Sequence, residues 1–428
     1  VSATGSAVPL GLLPSTAEID EAGHLHIGGL DVLRLAAEYG TPLFVYDERH
    51  LRDRAREAVE VLGPDGAIYA AKAFLCRAMA RLVSEEGMRL DVATGGELAV
   101  VLSAGVAADR LVFHGNNKAD WELRAAMDAG VGRLVVDSLD ELARIEALVA
   151  AGLPRPKVLL RINPGIEVHT HEHVRTGNLD SKFGFPMSTG QAHEAVQRAS
   201  GSAGVDLVGL HFHIGSQVFS VDNFLEGLEV IAPFVVSEGL PELIVGGGLG
   251  VAYVEGEEAP TITAWGGAVR RACEAAGIEA SVAAEPGRAI AAQAAITIYT
   301  VGTVKEIPGV RTYVSVDGGM SDNPRPVLYG SGYETFLPRA VGAQRDRVIR
   351  LVGKHCESGD LLVREGRVPS DLQVGDLIAT PVTGAYGHSM GSNYNKVFRP
   401  PVVFVRDGEA RVVVRRETIA DLLSTDLG

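Results

Sequence analysis

AIYAAKAF (residues 67–74) is a short apolar run that carries a single cation, Lys72, near its end, and it is the first of eight runs of this kind. Taken as strands they are Ala67–Lys72, Leu90–Thr94, Leu111–Gly115, Leu134–Asp137, Val158–Asn163, Val208–Ile214, Leu243–Gly248 and Val282–Glu285. They alternate with Ala/Leu/Glu/Arg-rich stretches of helical length, the pattern of a parallel sheet with crossover helices. An open doubly wound sheet could also hold eight strands. Polar residues or glycines stand at nearly every carboxyl end, where a barrel builds its active site, so the expectation is a closed (β/α)8 TIM-like barrel.

Beyond Arg288 the texture changes. AAITIYTVGTVKEI (294–307), RTYVSVDGG (311–319), DLLVREGRV (360–368), DLIATPV (376–382) and PPVVFVRDGEARVVVRRE (400–417) are short strands broken by Gly, Pro and Asp turns. HLHIGG (24–29) and PLFVYD (42–47) are strand-like too and precede the barrel. The expected organisation is α/β plus all-β: residues 1–46 supply strands to a discontinuous β domain, 47–294 form the barrel, and 295–428 complete the β domain. A chain of 428 residues is long enough for two cores.

Net charge is −15 with the acids scattered, which leaves no basic patch for nucleic acid. No apolar run approaches the roughly 20 residues of a membrane span. The start of the sequence lacks the basic and apolar segments of a secretory signal, so a cytoplasmic location is expected. The three cysteines, Cys76, Cys273 and Cys356, form no metal-like pair and fit reduced thiols. His169, His171 and His173 lie on alternate positions without further ligands at a telling spacing, so no metal is expected.

The strand ends carry the chemistry. Lys72 follows an apolar segment, and poor solvation lowers a lysine pKa, which suits a Schiff-base former. The sixth strand ends in HFHIGS, with an imidazole at His213 to lie against a planar ring and a hydroxyl at Ser216; His211 precedes them on the same strand face. GGGLG (246–250) closes the seventh strand, and the loops after strands seven and eight are the habitual phosphate site of barrels. EPGR (285–288) ends the eighth with Glu285 and Arg288. Each feature alone has a plain structural explanation: a snorkelling lysine, a core histidine, a tight turn, a rim ion pair. Together they supply what pyridoxal phosphate needs: an amine, a stacking face, a phosphate cradle and a carboxylate for the pyridine nitrogen. That carboxylate keeps the ring protonated, which favours an electron-sink reaction over racemisation.

The order AAKAF, HFHIGS, GGGLG, EPGR, CESGD and GAY spans nearly the whole chain and resembles the fold type III pyridoxal-phosphate decarboxylases. HGNNK (114–118), RINPGIEVHTHEH (161–173), DSKFGF (180–185), MSDNPRPVLYG (320–330) and SMGSNYN (389–395) resemble the diaminopimelate decarboxylase family in particular. The resemblance implies a barrel that binds pyridoxal 5'-phosphate through Lys72, with His213 stacked on the ring and Glu285 at its nitrogen. Ser216, Gly246, Gly247, Gly248, Gly287, Arg288 and Tyr386 would hold or approach the phosphate. Cys356 would return a proton to the α-carbon, delivered by the partner subunit of a homodimer, with Lys182 and Asp360 meeting across the interface. Arg325 and Tyr329 would take a distal carboxylate and Glu357 a distal ammonium, with Arg288 and Tyr386 also near the substrate, so that meso-diaminopimelate gives L-lysine and CO2. Decarboxylation of ornithine, arginine or carrier-bound glutamate is the alternative. A non-catalytic carrier of the cofactor is disfavoured by Cys356 and by the strands after residue 295.

Overall fold

The computed structural model describes residues 6–165 and 180–428. Two compact units emerge from the contacts: Arg54–Val251 with Ala259–Ala289, and Val1–Asp53 with Ala252–Glu258 and Ile290–Gly428. The divisions therefore fall after Asp53 and Ala289, whereas the sequence placed them after residues 46 and 294, and Ala252–Glu258 leaves the barrel stretch for the β unit.

The first unit is a parallel sheet with eight main strands, β1 Ile68–Ala70, β2 Arg89–Val92, β3 Leu111–Phe113, β4 Arg133–Val136, β5 Lys157–Asn163, β6 Asp206–Phe212, β7 Glu242–Ile244 and β8 Ser281–Ala283, and a two-residue strand, Phe185–Pro186, paired alongside β5. Neighbours in sequence are neighbours in the sheet, with registers such as Leu90↔Leu111, Leu134↔Val158 and Leu210↔Leu243. A bridge from Ala67 to Ala284 closes the ring, with Ile68 N donating to Ala284 O at 3.0 Å and Ala284 N to Gly66 O at 2.8 Å. Closure leaves no sheet edge. Ile68, Val112, Val135, Leu159, Ile244 and Ala283 pack as one cluster, with Val208 against it. Successive strand residues face opposite ways, so one side chain per strand fills this layer while the next packs outward.

Helices return the chain between strands, and polar residues mark their starts. Thr94, Ser138 and Thr261 accept hydrogen bonds from the backbone N–H of Glu97, Glu141 and Ala264, capping Gly95–Ser103, Leu139–Ala150 and Ile262–Ala275. Lys118, at the end of HGNNK, is buried: its Nζ lies 2.7 Å from Glu141 Oε1 and donates to Gly115 O and Val135 O at 2.6 and 2.8 Å. This ion pair ties the β3 and β4 ends together.

The second unit is built on the strand Ala295–Ile307. Its first half pairs with Leu43–Asp47 on one side and Leu377–Pro381 on the other, and its second half with Arg311–Val316. Arg347–Val352, Leu361–Val368, Val402–Arg406 and Glu409–Val414 extend the mostly antiparallel sheet. PLFVYD thus joins the C-terminal strands as expected. HLHIGG joins the same unit but not its main sheet: among the described residues Leu25–Ile27 pairs as a strand with Glu18–Ile19 and Leu30–Asp31, in a small sheet of its own. Its fully buried Leu25 and Ile27 instead pack in the same core as Val45, Ile296 and Val405. The turn that follows approaches the main sheet closely, since a Cβ at Gly28, φ +58°, would stand 2.9 Å from the carbonyl carbon of Val405.

Candidate active site

The carboxyl ends of the barrel strands gather the expected residues of the first unit. Past β1 the chain makes a 3-10 turn, Ala71–Ala73, fixed by Tyr69 Oη donating to Phe74 O at 2.8 Å. Lys72 rides on this turn and is exposed, while Ala70, Ala71 and Ala73 are buried. The Lys72 ammonium is felt by His213 and by Asp91.

Glu285, just past β8, is buried with two imidazoles against it. His114 Nε2 lies 2.8 Å from Oε1 and His211 Nε2 3.2 Å from Oε2. Burial by itself raises the pKa of this carboxyl, but the two histidines outweigh it and hold the group well below the usual range. Burial pushes His211 down to about 4, so its ring is neutral at neutral pH. The three ligand-type atoms fall within 4.8 Å of one another. The His211 contact is a hydrogen bond, whereas His114 meets Glu285 as a 2.8 Å ion-pair contact outside hydrogen-bond geometry.

Sequence reading missed three partners of this cluster. Asp91, in the second half of β2, accepts from Ala71 N at 3.0 Å, and burial followed by the charge of Glu285 lifts its pKa to about 7. His114 was visible only within HGNNK, with no role. Arg161 on β5 lies 4.2 Å from the Phe183 ring, and burial lowers its pKa against the charges of Asp137 and Glu285. The available signal was a charged residue inside or just past an apolar run at the carboxyl end of a strand.

His213 is half-buried; burial, then the Lys72 ammonium, holds it well below its usual pKa. Gly247 N donates to its Nδ1 at 3.3 Å, which places the remaining ring proton on Nε2. The glycine loop has no room for side chains. A Cβ at Gly247 would lie 2.1 Å from Glu285 O, and one at Gly248, φ +105°, 2.1 Å from Gly215 O. At Gly246, φ +69°, it would meet His213 Nδ1 at 2.6 Å. Gly287 comes equally close to β1, 2.7 Å from the Ala70 Cβ. Arg288 Nη2 donates to Ser216 Oγ at 3.0 Å, bringing a cation and a hydroxyl together beside this loop. A backbone cradle, a neighbouring Ser–Arg pair, a buried carboxylate kept ionised and an amine at the next strand end fit pyridoxal phosphate.

The remaining candidates lie in the β unit. Arg325 is buried, with Nη1 donating to Tyr333 Oη at 2.5 Å and its guanidinium carbon 4.2 Å from the Tyr253 ring. Tyr329, four residues on in the short helix Arg325–Tyr329, is exposed; the phenol that Arg325 touches is Tyr333. Cys356 and Glu357 are exposed, with Cys356 N donating to Asn395 Oδ1 at 3.1 Å and Glu357 Oε1 accepting from Gly359 N at 3.2 Å. Asp360 accepts from Met320 N at 2.7 Å and His355 N at 2.8 Å, so its carboxylate braces loops of its own chain. Lys182 lies 5.0 Å from the Phe183 ring. Tyr386 is half-buried at φ +59°. His169, His171 and His173 lie outside the described residues.

Residues 48–292 match the pyridoxal-binding domain of the pyridoxal-dependent decarboxylases. Over 434 residues the chain is 47% identical to a diaminopimelate decarboxylase of Mycobacterium tuberculosis, covering 97% of each. The chain belongs to the diaminopimelate decarboxylase family. It is a pyridoxal 5'-phosphate enzyme and an amino-acid decarboxylase by that membership. The Bacillus subtilis member is 43% identical over 438 residues, covering 97% of this chain and 98% of that one. The solved structure of the M. jannaschii decarboxylase in complex with L-lysine matches with a TM-score of 0.89 at 31% identity, over 97% of this chain and 98% of the other. Among the described residues, no helix of this family member is long and apolar enough to cross a membrane.

Proposed function

We propose that this chain decarboxylates meso-diaminopimelate to L-lysine and CO2. The observation that carries the reading is Glu285, a buried carboxylate at the carboxyl end of β8 with an imidazole against each oxygen, which suits it to the ring nitrogen of the cofactor. Bound pyridoxal phosphate supplies an electron sink for the pair left behind when CO2 departs. Lys72 would hold the cofactor by its amine, and His213 would offer a face to its ring. Ser216, Gly246, Gly247, Gly248, Gly287, Arg288 and Tyr386 would hold or flank the phosphate, the glycines bringing backbone close to it. Glu285 balances the positive charge of the protonated ring nitrogen.

At the far end of the substrate, Arg325 and Tyr329 take the distal carboxylate and Glu357 the distal ammonium, a pair of opposite charges that a simple diamine product would not call for. Cys356 returns a proton to the carbon that has lost CO2. Its exposure supports delivery to a second copy, so the working unit of this proposal is a homodimer with shared sites. The relative whose structure holds L-lysine supports the same product here.

The test is CO2 release from purified protein loaded with pyridoxal phosphate and offered meso-diaminopimelate, ornithine, arginine and glutamate. Release from meso-diaminopimelate with L-lysine in equal amount is expected. Release from another amino acid alone would replace the substrate, and silence with all four would remove the activity.

A further inference from the structure

The two imidazoles against Glu285 come from different strands, His114 from the residue after β3 and His211 from β6. His114 approaches one carboxylate oxygen as a 2.8 Å ion-pair contact and His211 meets the other in a 3.2 Å hydrogen bond, and the rings meet edge to face with centroids 4.8 Å apart. All three side chains are buried, with relative exposures of 9%, 1% and 7%. We propose that His114 and His211 are positioning residues for the decarboxylation: they clamp both oxygens of Glu285 and so fix the charge this carboxylate presents to the ring nitrogen of the cofactor. The proposal rests on the reading above that Glu285 faces that nitrogen.

A buried carboxylate without donors takes up a proton, because desolvation penalises the charged form. The site contains its own comparison. Asp91, which accepts one backbone N–H, sits at about 7, while Glu285, with an imidazole on each oxygen, stays ionised. The clamp works by hydrogen bonding through a neutral ring at His211. That ring's Nδ1 is buried without a partner among the described residues, so its single proton belongs on Nε2, where it points at Glu285. A carboxylate oxygen accepts more than one hydrogen bond, so the clamped group keeps capacity for a ring N–H. The other charged groups around it are Lys72 after β1, Asp91 on β2, Arg161 on β5 and His213 after β6. Among the described residues no side chain other than His211 donates a hydrogen bond to Glu285, so the loss of that N–H is not made good by a donor already in contact.

The experiment loads the protein with pyridoxal phosphate carrying 15N at the ring nitrogen and follows that resonance against pH. Parent protein is expected to show a protonated ring nitrogen. His114→Phe and His211→Phe keep a ring but remove the nitrogen against Glu285, and each should shift the protonation equilibrium toward the neutral ring, His211→Phe roughly ten- to hundredfold, the worth of one hydrogen bond to a charged group. His211→Gln places an amide N–H near the lost one and should restore the parental resonance, whereas His211→Asn, too short to reach, should behave as the Phe variant does. If a Phe variant fails to fold, the Gln and Asn pair decides the matter. A parental resonance in the Phe and Asn variants overturns the clamp. Glu285→Gln separates the two levels: if it shifts the resonance while the histidine variants do not, only the clamp falls, and if it leaves the resonance unchanged, the placement of Glu285 falls with it.

Discussion

Arg325→Ala probes the assignment of substrate where the structure offers a magnitude. The guanidinium is buried between the rings of Tyr253 at 4.2 Å and Tyr333 at 5.6 Å, and among the described residues it makes one hydrogen bond, to Tyr333 Oη. A guanidinium has five N–H donors in a planar fork, so most remain for a ligand carboxylate. Each hydrogen bond to a charged group contributes roughly 1.5–3 kcal/mol, and about 1.4 kcal/mol is tenfold, so losing even one should lower kcat/KM for meso-diaminopimelate by roughly ten- to hundredfold. Arg325→Lys should recover only part, since an ammonium retains charge without the fork or the stacking. The loss of aromatic contact costs about 0.5–2 kcal/mol of stability, small enough for a melting curve to show that the variant is folded. The assay is steady-state CO2 release, with cofactor absorbance as the control for loading. Undiminished kcat/KM in a folded, fully loaded Arg325→Ala protein would refute the role of this guanidinium and with it the distal carboxylate.

Gly247→Ala would drive a methyl to 2.1 Å from Glu285 O, so a marked loss of affinity for pyridoxal phosphate is expected in equilibrium titration; unchanged affinity would mean the loop does not cradle the phosphate. Lys118→Met strands the buried Glu141 carboxylate and should cost about 3–5 kcal/mol in denaturant unfolding, with Lys118→Met/Glu141→Leu recovering much of it. Asp322, whose pKa burial raises to about 7, holds its proton when folded and loses it near 3.8 when unfolded. The unfolded state therefore binds fewer protons in that window, and stability should fall by roughly 1.4 kcal/mol per pH unit on this account from about pH 4 up to about pH 7 and level off above; Asp322→Asn should remove that component of the slope, and an unaltered slope in the variant would contradict it.

The eight barrel strands were legible because each is a short apolar run between amphipathic helices, and observed boundaries differ from the expected ones by a few residues, mainly at the polar ends where side chains turn toward the site. Lys72, His213, the glycine loop and Glu285 were legible for the same reason: they stand at strand ends. What surrounds Glu285 was not. His114, Asp91 and Arg161 come from three other strands, and only closure of the barrel brings them to one carboxylate. The exposure of Lys72 depends on a 3-10 turn that its apolar neighbours do not announce. Tyr253 lies more than seventy positions before Arg325, inside the stretch read as barrel, so its stacking became visible only with the fold. The pairing of Leu25–Ile27 in a sheet of its own likewise depends on its two short neighbours, which carry no strand pattern.

Lys72 is the proposed anchor of pyridoxal phosphate in a working decarboxylase. Reducing the cofactor-loaded protein with borohydride, digesting it and mapping the added pyridoxyl mass tests this most directly. The label is expected on the peptide containing Lys72, together with loss of CO2 release. Label on another lysine, or CO2 release that survives full labelling of Lys72, would contradict it.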